Sequence, residues 1–349
     1  MIRRLLAIIL GVTLMAPDPT RASDDGPVYE ILDFDALEGW ADDDHGAALT
    51  AFLETCRDLK DPDWRALCRA ARDDPEPRAF FELFFRPVRI THGAPGALFT
   101  GYFEPELDGA RHPGGKYRWP VYKMPPEARE AGQWLSRSEI LTSDVMQGRG
   151  LEIAWVDDPV ELFFLQIQGS GRIRLPDSDV IRVGYGGSNG HEYRSIGVEM
   201  IRREILPSHR VSAEVIKNWV RRNGAAGEEL LLHNPSYVFF REVSEVPADK
   251  GPLGAMNRSI TAMRTIAVDP AYTPLGAPVW IEKDGRDAMR RLMIAQDTGS
   301  AIKGAQRADI FAGTGADAGK WAGTLKDPGQ MFVLLPIQRA YALLPDPTL

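Results

Sequence analysis

The chain has 349 residues, of which 44% are hydrophobic and 26% charged, the balance of a globular protein with material for a real core in one large domain or two ordinary ones. A net charge of −8, with no cluster of lysine and arginine against it, argues against nucleic acid as a partner. Its 33 glycines and 26 prolines favour many turns and short strands over long helices.

Residues 1–22 read as a secretory signal. Arg3 and Arg4 form a basic start, Leu5 to Ala16 an apolar run too short to span a bilayer, and Thr20-Arg21-Ala22 places small residues for cleavage before Ser23. An uncleaved anchor is the alternative. No cysteine stands near this site to carry a lipid. The expected location is the periplasm, with outer-membrane association left open.

A helical segment follows from about 46 to 84. Ala48, Phe52, Cys56 and Leu59 share one face, and Trp64, Leu67, Cys68 and Ala71 another. Joined by Asp61-Pro62-Asp63 they form a helical hairpin, which the two cysteines would bridge in an oxidising compartment; the alternative is two small buried thiols. Strand-like runs begin near Leu98 and continue as Ile153–Val156, Leu162–Gln168 and Val180–Tyr185. A helical block runs from Ser195 to about Asn223. Its second part has Ser212 as N-cap, Val215, Ile216, Trp219 and Val220 on one face, and Gly224 as the stop. Tyr237–Val243 reads as a strand. The last hundred residues read as mainly β: Thr265–Val268, Pro278–Glu282, Leu292–Ala295, Ile310–Phe311 and Met331–Leu335. Strands this short and numerous indicate barrels rather than a doubly wound sheet.

Two motifs mislead. Asp297-Thr298-Gly299-Ser300 has the local form of an aspartic protease loop, but that chemistry needs two such loops and the chain has one. Gly186-Gly187-Ser188-Asn189-Gly190 fits G-x-S-x-G, yet no βαβ alternation surrounds it, so a glycine-rich turn is the better reading. The six histidines are scattered singly and no C-x-x-C is present, so neither a metal nor a cofactor is expected.

The segment from Asp297 to Gly313 is different. It holds two aspartates, Lys303 and Arg307 among glycines, which let the backbone approach a ligand closely. Asp309 adjoins Ile310 and Phe311, and an apolar wall disfavours the charged carboxylate, the property a general acid for a glycosidic oxygen requires. A surface loop with a helix cap and two ion pairs fits the same residues.

Ala267-Val268-Asp269-Pro270, Pro274-Leu275-Gly276 and the Asp297–Asp309 segment resemble the domain named for three aspartates, here Asp269, Asp297 and Asp309. Upstream, the stretches 100–105, 163–172, 190–193 and 234–240 resemble the membrane-bound lytic transglycosylase A family, from Thr100-Gly101-Tyr102-Phe103-Glu104-Pro105 to Asn234-Pro235-Ser236-Tyr237. The likeness runs from about residue 45 to 336. It implies a mainly β protein with flanking helices: a double-psi β-barrel, a smaller inserted β domain, and a groove between them for glycan. The expected segments are 23–104 for the helical region and first part of the barrel, 105–240 for the insert, and 241–349 for the three-aspartate part.

The resemblance also implies cleavage of the β-1,4 bond between N-acetylmuramic acid and N-acetylglucosamine in peptidoglycan, with Asp309 as the single acid and base and a 1,6-anhydro sugar as product. Asp297 matches a second family carboxylate. Gln168, Gly169, Ser170 and Asn189 suit sugar hydroxyl and acetamido groups, Tyr102, Phe103 and Tyr185 suit stacking on sugar faces, and Lys303 suits Asp297 or a peptide carboxylate. Each also fits an ordinary turn or core position. The expected partners of this monomer are glycan strands, with cell-wall enzyme complexes as further candidates. A non-catalytic peptidoglycan-binding protein and a conventional murein hydrolase are the rival readings. Family members are often lipoproteins, and this chain departs from them in having no cysteine to lipidate.

Overall fold

The computed structural model describes residues 26–93 and 96–343; the signal-like residues 1–22 lie outside the described residues. Strand β1 (Val28–Ile31) precedes three helices, α1 (His45–Thr55), α2 (Pro62–Arg72) and α3 (Pro77–Phe84). Their starts are local chemistry. Asp44, Asp61 and Glu76 each accept from a first-turn N–H, and Pro62 and Pro77 open α2 and α3, where a missing N–H costs nothing. The expected hairpin forms between α1 and α2, and Cys56 and Cys68 are joined as a disulfide with Cα atoms 5.4 Å apart.

Strands β2 (Phe85–Thr91) and β3 (Ala97–Glu104) lead into the insert. It comprises β4 (Glu106–Ala110), β5 (Trp119–Tyr122), α4 (Pro126–Glu130), α5 (Arg137–Thr142), β6 (Glu152–Val156), α6 (Pro159–Gln168), β7 (Gly171–Arg174), β8 (Val180–Ser188), α7 (Ile196–Arg202), α8 (Ala213–Arg222), α9 (Gly224–Leu232) and β9 (Val238–Glu242). The chain then returns through β10 (Thr265–Val268), β11 (Pro278–Lys283), β12 (Met289–Asp297), β13 (Arg307–Thr314), α10 (Gly315–Ala322), β14 (Lys326–Pro336) and α11 (Ile337–Tyr341).

The barrel is the ring β14-β11-β12-β10-β13-β3, closed where Lys326–Gly329 of β14 pairs with Ala97–Thr100 of β3. The far end of β14 pairs with β2, and β2 with β1. Two pairs in the ring are parallel, β10 with β12 and β13 with β3. This is the double-psi barrel expected from the resemblance. Period-two alternation assigns its faces. Val279, Ile281, Met293, Ala295, Ile266, Ala308 and Ile310 fill the interior, while Trp280, Leu292 and Ile294 pack outward under α1–α3. The insert is a separate six-stranded sheet, β5-β6-β4-β7-β8-β9, with its own core and a helical layer built on Phe163, Met200, Ile216 and Leu230.

Two elements differ from the sequence reading. Leu162–Gln168 is not a strand but the body of α6. Asp158 caps it, Pro159 opens it, and Gly169 ends it in the left-handed region at φ 79°. Its apolar run is buried on more than one side, so it lacks the one-sided stripe that distinguishes a helix from a buried strand. Gly224 does end α8, whose cap is Ser212 as expected, but it also begins α9, which the sequence reading lacks.

Candidate active site

The site is built on the outer face of four neighbouring barrel strands. Ala267 at the centre of β10 is in register with Asp297 on one side and Asp309 on the other, and Asp309 is in register with Thr100 of β3. Residues opposite one another across a sheet share a face, so Asp297, Ala267, Asp309 and Thr100 form a row. Ile266, Val268, Ala308 and Ile310 point the other way into the core. Two strand spacings separate the carboxylate-bearing backbones, roughly 10 Å.

Asp297 joins this row through a β-bulge. The pairing of β10 with β12 runs Ile266 to Ala295 and then jumps to Ala267 with Asp297. Gln296 is the extra residue. Its buried side chain is held by the Thr265 hydroxyl and donates to the Ala51 carbonyl of α1 at 3.3 Å. Without the bulge, Asp297 would follow the inward alternation of Met293 and Ala295.

The two carboxylates have different partners. Asp297 is fully committed: Tyr102 donates its hydroxyl at 2.8 Å, and the N–H groups of Ala255 and Thr298 each donate at 2.9 Å. Burial nevertheless outweighs these donors and raises its pKa to about 6, with Asp309 adding to the rise. Burial and the negative Asp297 push the Tyr102 phenol well above its usual value, so it remains a donor. Asp309 accepts through Oδ1 from the Thr100 hydroxyl, which in turn accepts from Arg307 Nη2 at 2.8 Å. No described residue donates to Oδ2. Burial raises the Asp309 pKa, while Thr100 and Arg307 work against that rise.

The expected contact residues are divided by the structure. Gln168 sits at the end of α6 and accepts from the Phe103 N–H at 3.0 Å, so Gln168, Gly169 and buried Ser170 bring the insert to the end of β3. Tyr185 is 57% exposed on β8 and free to stack. Tyr102 lies two residues beyond Thr100 on the same face, but its ring packs on Phe311 at 5.3 Å and its hydroxyl is spent on Asp297. The remaining three are placed as follows, and only the expectation for Asn189 is corrected. Phe103 faces α10, where a Cβ on Gly319 would lie 2.8 Å from its ring, so part of the ring packs on that helix. Asn189 is completely buried; its amide donates to the Leu135 and Pro235 carbonyls and its oxygen accepts from the Tyr237 N–H, so it braces a turn. Lys303 is exposed and is not among the partners of Asp297, which leaves a peptide carboxylate as its expected contact.

Asp269, the remaining aspartate of the three, ties loops together. It accepts from the N–H of Ala271 at 3.2 Å and of Gly304 at 2.9 Å, pinning the loop between β12 and β13 to the end of β10. The sequence reading assigned no role to Thr100 or Arg307. The signal was present: Arg307 lies two residues before Asp309 on one strand, and period two puts both on one face.

Comparison with known proteins agrees with this geometry. Residues 98–241 match the family model described as the MltA specific insert domain, and residues 264–335 match the 3D domain. A Vibrio cholerae protein named membrane-bound lytic murein transglycosylase A is 33% identical over 263 residues, covering 71% of this chain and 69% of that protein. The structure of a membrane-bound lytic murein transglycosylase from Agrobacterium tumefaciens is 30% identical with a TM-score of 0.80, covering 90% of this chain and 99% of that one. The Escherichia coli MltA structure with bound chitohexaose is 28% identical with a TM-score of 0.70, over 84% of this chain and 90% of that one. Barrel, insert and aspartate row together define a transglycosylase of the 3D-domain class. The chain belongs to the membrane-bound lytic murein transglycosylase A family and is a lytic transglycosylase. Among the described residues no helix is long and apolar enough to cross a membrane, and no group of metal-binding side chains is found.

Proposed function

We propose that the protein is exported and cleaves the β-1,4 bond between N-acetylmuramic acid and N-acetylglucosamine in peptidoglycan, with Asp309 as the only acid and base. The observation that carries this is the asymmetry of the two carboxylates. Asp309 is half-buried, raised in pKa and has an oxygen to which no described residue donates, whereas Asp297 already accepts three hydrogen bonds. Protonated Asp309 gives its proton to the leaving oxygen as the bond to muramyl C1 breaks. Its carboxylate then takes the proton of the muramyl C6 hydroxyl, whose oxygen bonds to C1. No water is consumed, and the product is a 1,6-anhydro sugar. The nucleophile is part of the substrate and already near C1, so no second catalytic carboxylate is required.

Asp297 positions Tyr102 and the loop bearing Ala255 in this reading. Gln168, Gly169 and Tyr185 provide the glycan contacts of the insert, beside the buried Ser170. The chitohexaose in the Escherichia coli structure supports a sugar chain as the ligand of this fold. A second reading, a conventional hydrolase with Asp297 activating water, draws on its pKa of about 6 and its separation of roughly 10 Å from Asp309. Asp309→Asn tests the proposal. Activity on murein sacculi should fall by at least the roughly 10²–10⁴-fold typical of a lost acid–base, with the thermal transition little changed. Retention of comparable murein clearance would refute it.

A further inference from the structure

We propose that Glu104 is a positioning residue that fixes the inserted domain over the catalytic row. Its carboxylate is 1% exposed at the last position of β3, where the chain leaves the barrel. It accepts from Arg172 Nε of β7 at 2.9 Å, from Arg182 Nη2 of β8 at 3.3 Å, and from the Thr314 hydroxyl of β13 at 2.7 Å. Two of these donors belong to the insert and one to the barrel.

The arginines extend the tie to the returning chain. Arg172 donates to the carbonyls of Ala248 and Lys250, at 3.0 and 3.2 Å, and Arg182 to those of Pro247 and Lys250, at 2.8 and 2.7 Å. Both covalent connections between the domains are thus bound to one buried carboxylate. Five residues beyond Lys250, the Ala255 N–H donates to Asp297. Thr100 and Tyr102 are on the strand that Glu104 ends, and Asp309 is on the strand that Thr314 ends.

One negative charge holds two guanidiniums here, with carbonyl oxygens taking two further hydrogen bonds from each. Removing the charge leaves two cations in a largely buried place without a counter-ion, and repulsion between them favours a wider junction. The barrel acid and the insert contacts near Gln168 would then no longer meet one glycan in one geometry. The effect belongs in the binding of long strands, because Glu104 itself is spent on its three donors and does not reach the substrate.

This deepens the catalytic reading and rests on it, so the test includes a readout independent of activity. Spin labels are attached at Leu83→Cys on the barrel side and Val180→Cys on the insert, both exposed, while the native cysteines are paired. In Glu104→Gln the interdomain distance distribution should broaden or shift. KM for long glycan strands should rise about tenfold with kcat at saturation held within a few-fold, as expected of misplacement rather than lost chemistry. Thr314→Val keeps the charges balanced and should shift both readouts in the same direction by less; it decides the matter if Glu104→Gln does not fold. A distance distribution unchanged in the folded variants, or a fall in kcat equal at every strand length, would overturn the proposal. A changed distribution in a chain that proves to be a hydrolase would uphold Glu104 and sink only the anhydro mechanism.

Discussion

Asp297 and Asp309 are both in register with Ala267, one from each neighbour of β10, so a single small residue lies between two half-buried carboxylates on one face of the barrel. The arrangement raises both pKa values by burial, but it gives the two groups unequal freedom. The consequences are separately measurable.

In the proposed mechanism the Asp309 proton sets the alkaline limb of the pH profile. The acid must be protonated in the free enzyme, so kcat/KM should decline as pH rises through a pKa above the ordinary carboxylate range. Thr100→Val removes a donor that favours the ionised form. The alkaline limb should move to higher pH, with a loss of less than about tenfold at the optimum. A profile unchanged in Thr100→Val would count against the assignment of Asp309.

Asp297 lowers stability at neutral pH. Its pKa is about 6 in the fold and 3.8 as an ordinary aspartate, so between those pH values the folded chain binds more protons than the unfolded one. Its contribution therefore worsens as pH rises from about 4 to 6 and stays constant above. Asp297→Asn, which keeps the size and most of the hydrogen bonds, should be more stable than wild type at pH 7.5 by about 2 kcal/mol, and equal to it near pH 4. Its activity should fall less than that of Asp309→Asn. Denaturant titrations at the two pH values check this.

Asp269 should matter for the fold rather than the reaction. Asp269→Ala leaves the N–H groups of Ala271 and Gly304 without their acceptor and should cost about 1–3 kcal/mol, with a modest change in kcat. A loss of activity as deep as that of Asp309→Asn at full folding would contradict that division.

The disulfide between Cys56 and Cys68 closes a loop of 12 residues and should contribute about 3 kcal/mol. Reduction, or Cys56→Ser with Cys68→Ser, should lower the melting temperature while leaving activity at 25 °C, because the hairpin packs on the face of the barrel under α1–α3. Alkylation of the unfolded, unreduced protein should find no free thiol.

The strands at the centre of the site were legible in the sequence: Thr265–Val268 needed no revision, because short apolar runs bounded by glycine and proline allow little else. Asp309 stands out in the sequence by its apolar neighbours and its resemblance to the family acid, but its link to Thr100 and Arg307 does not. The orientation of Asp297 was not, because a bulge at Gln296 changes the alternation and nothing local announces it. Asn189 misled, and the placing of Phe103 against α10 was hidden, for a related reason. Their residue types suit sugar, but which side of a strand faces the groove, and which amide is consumed by backbone, is decided by contacts with α10 and with Leu135, Pro235 and Tyr237 far along the chain. Glu104 stood within a quoted motif without a role, since its partners lie 68, 78 and 210 residues away.

The mass of the product formed in ¹⁸O-labelled water tests the central claim most directly. If Asp309 works alone with the muramyl C6 hydroxyl as nucleophile, digestion of purified sacculi should release anhydro-muropeptides that carry no label and are each lighter by one water than a hydrolase product. A labelled, reducing muramyl end would contradict the account, because water would then be the nucleophile and Asp297 the group best placed to activate it.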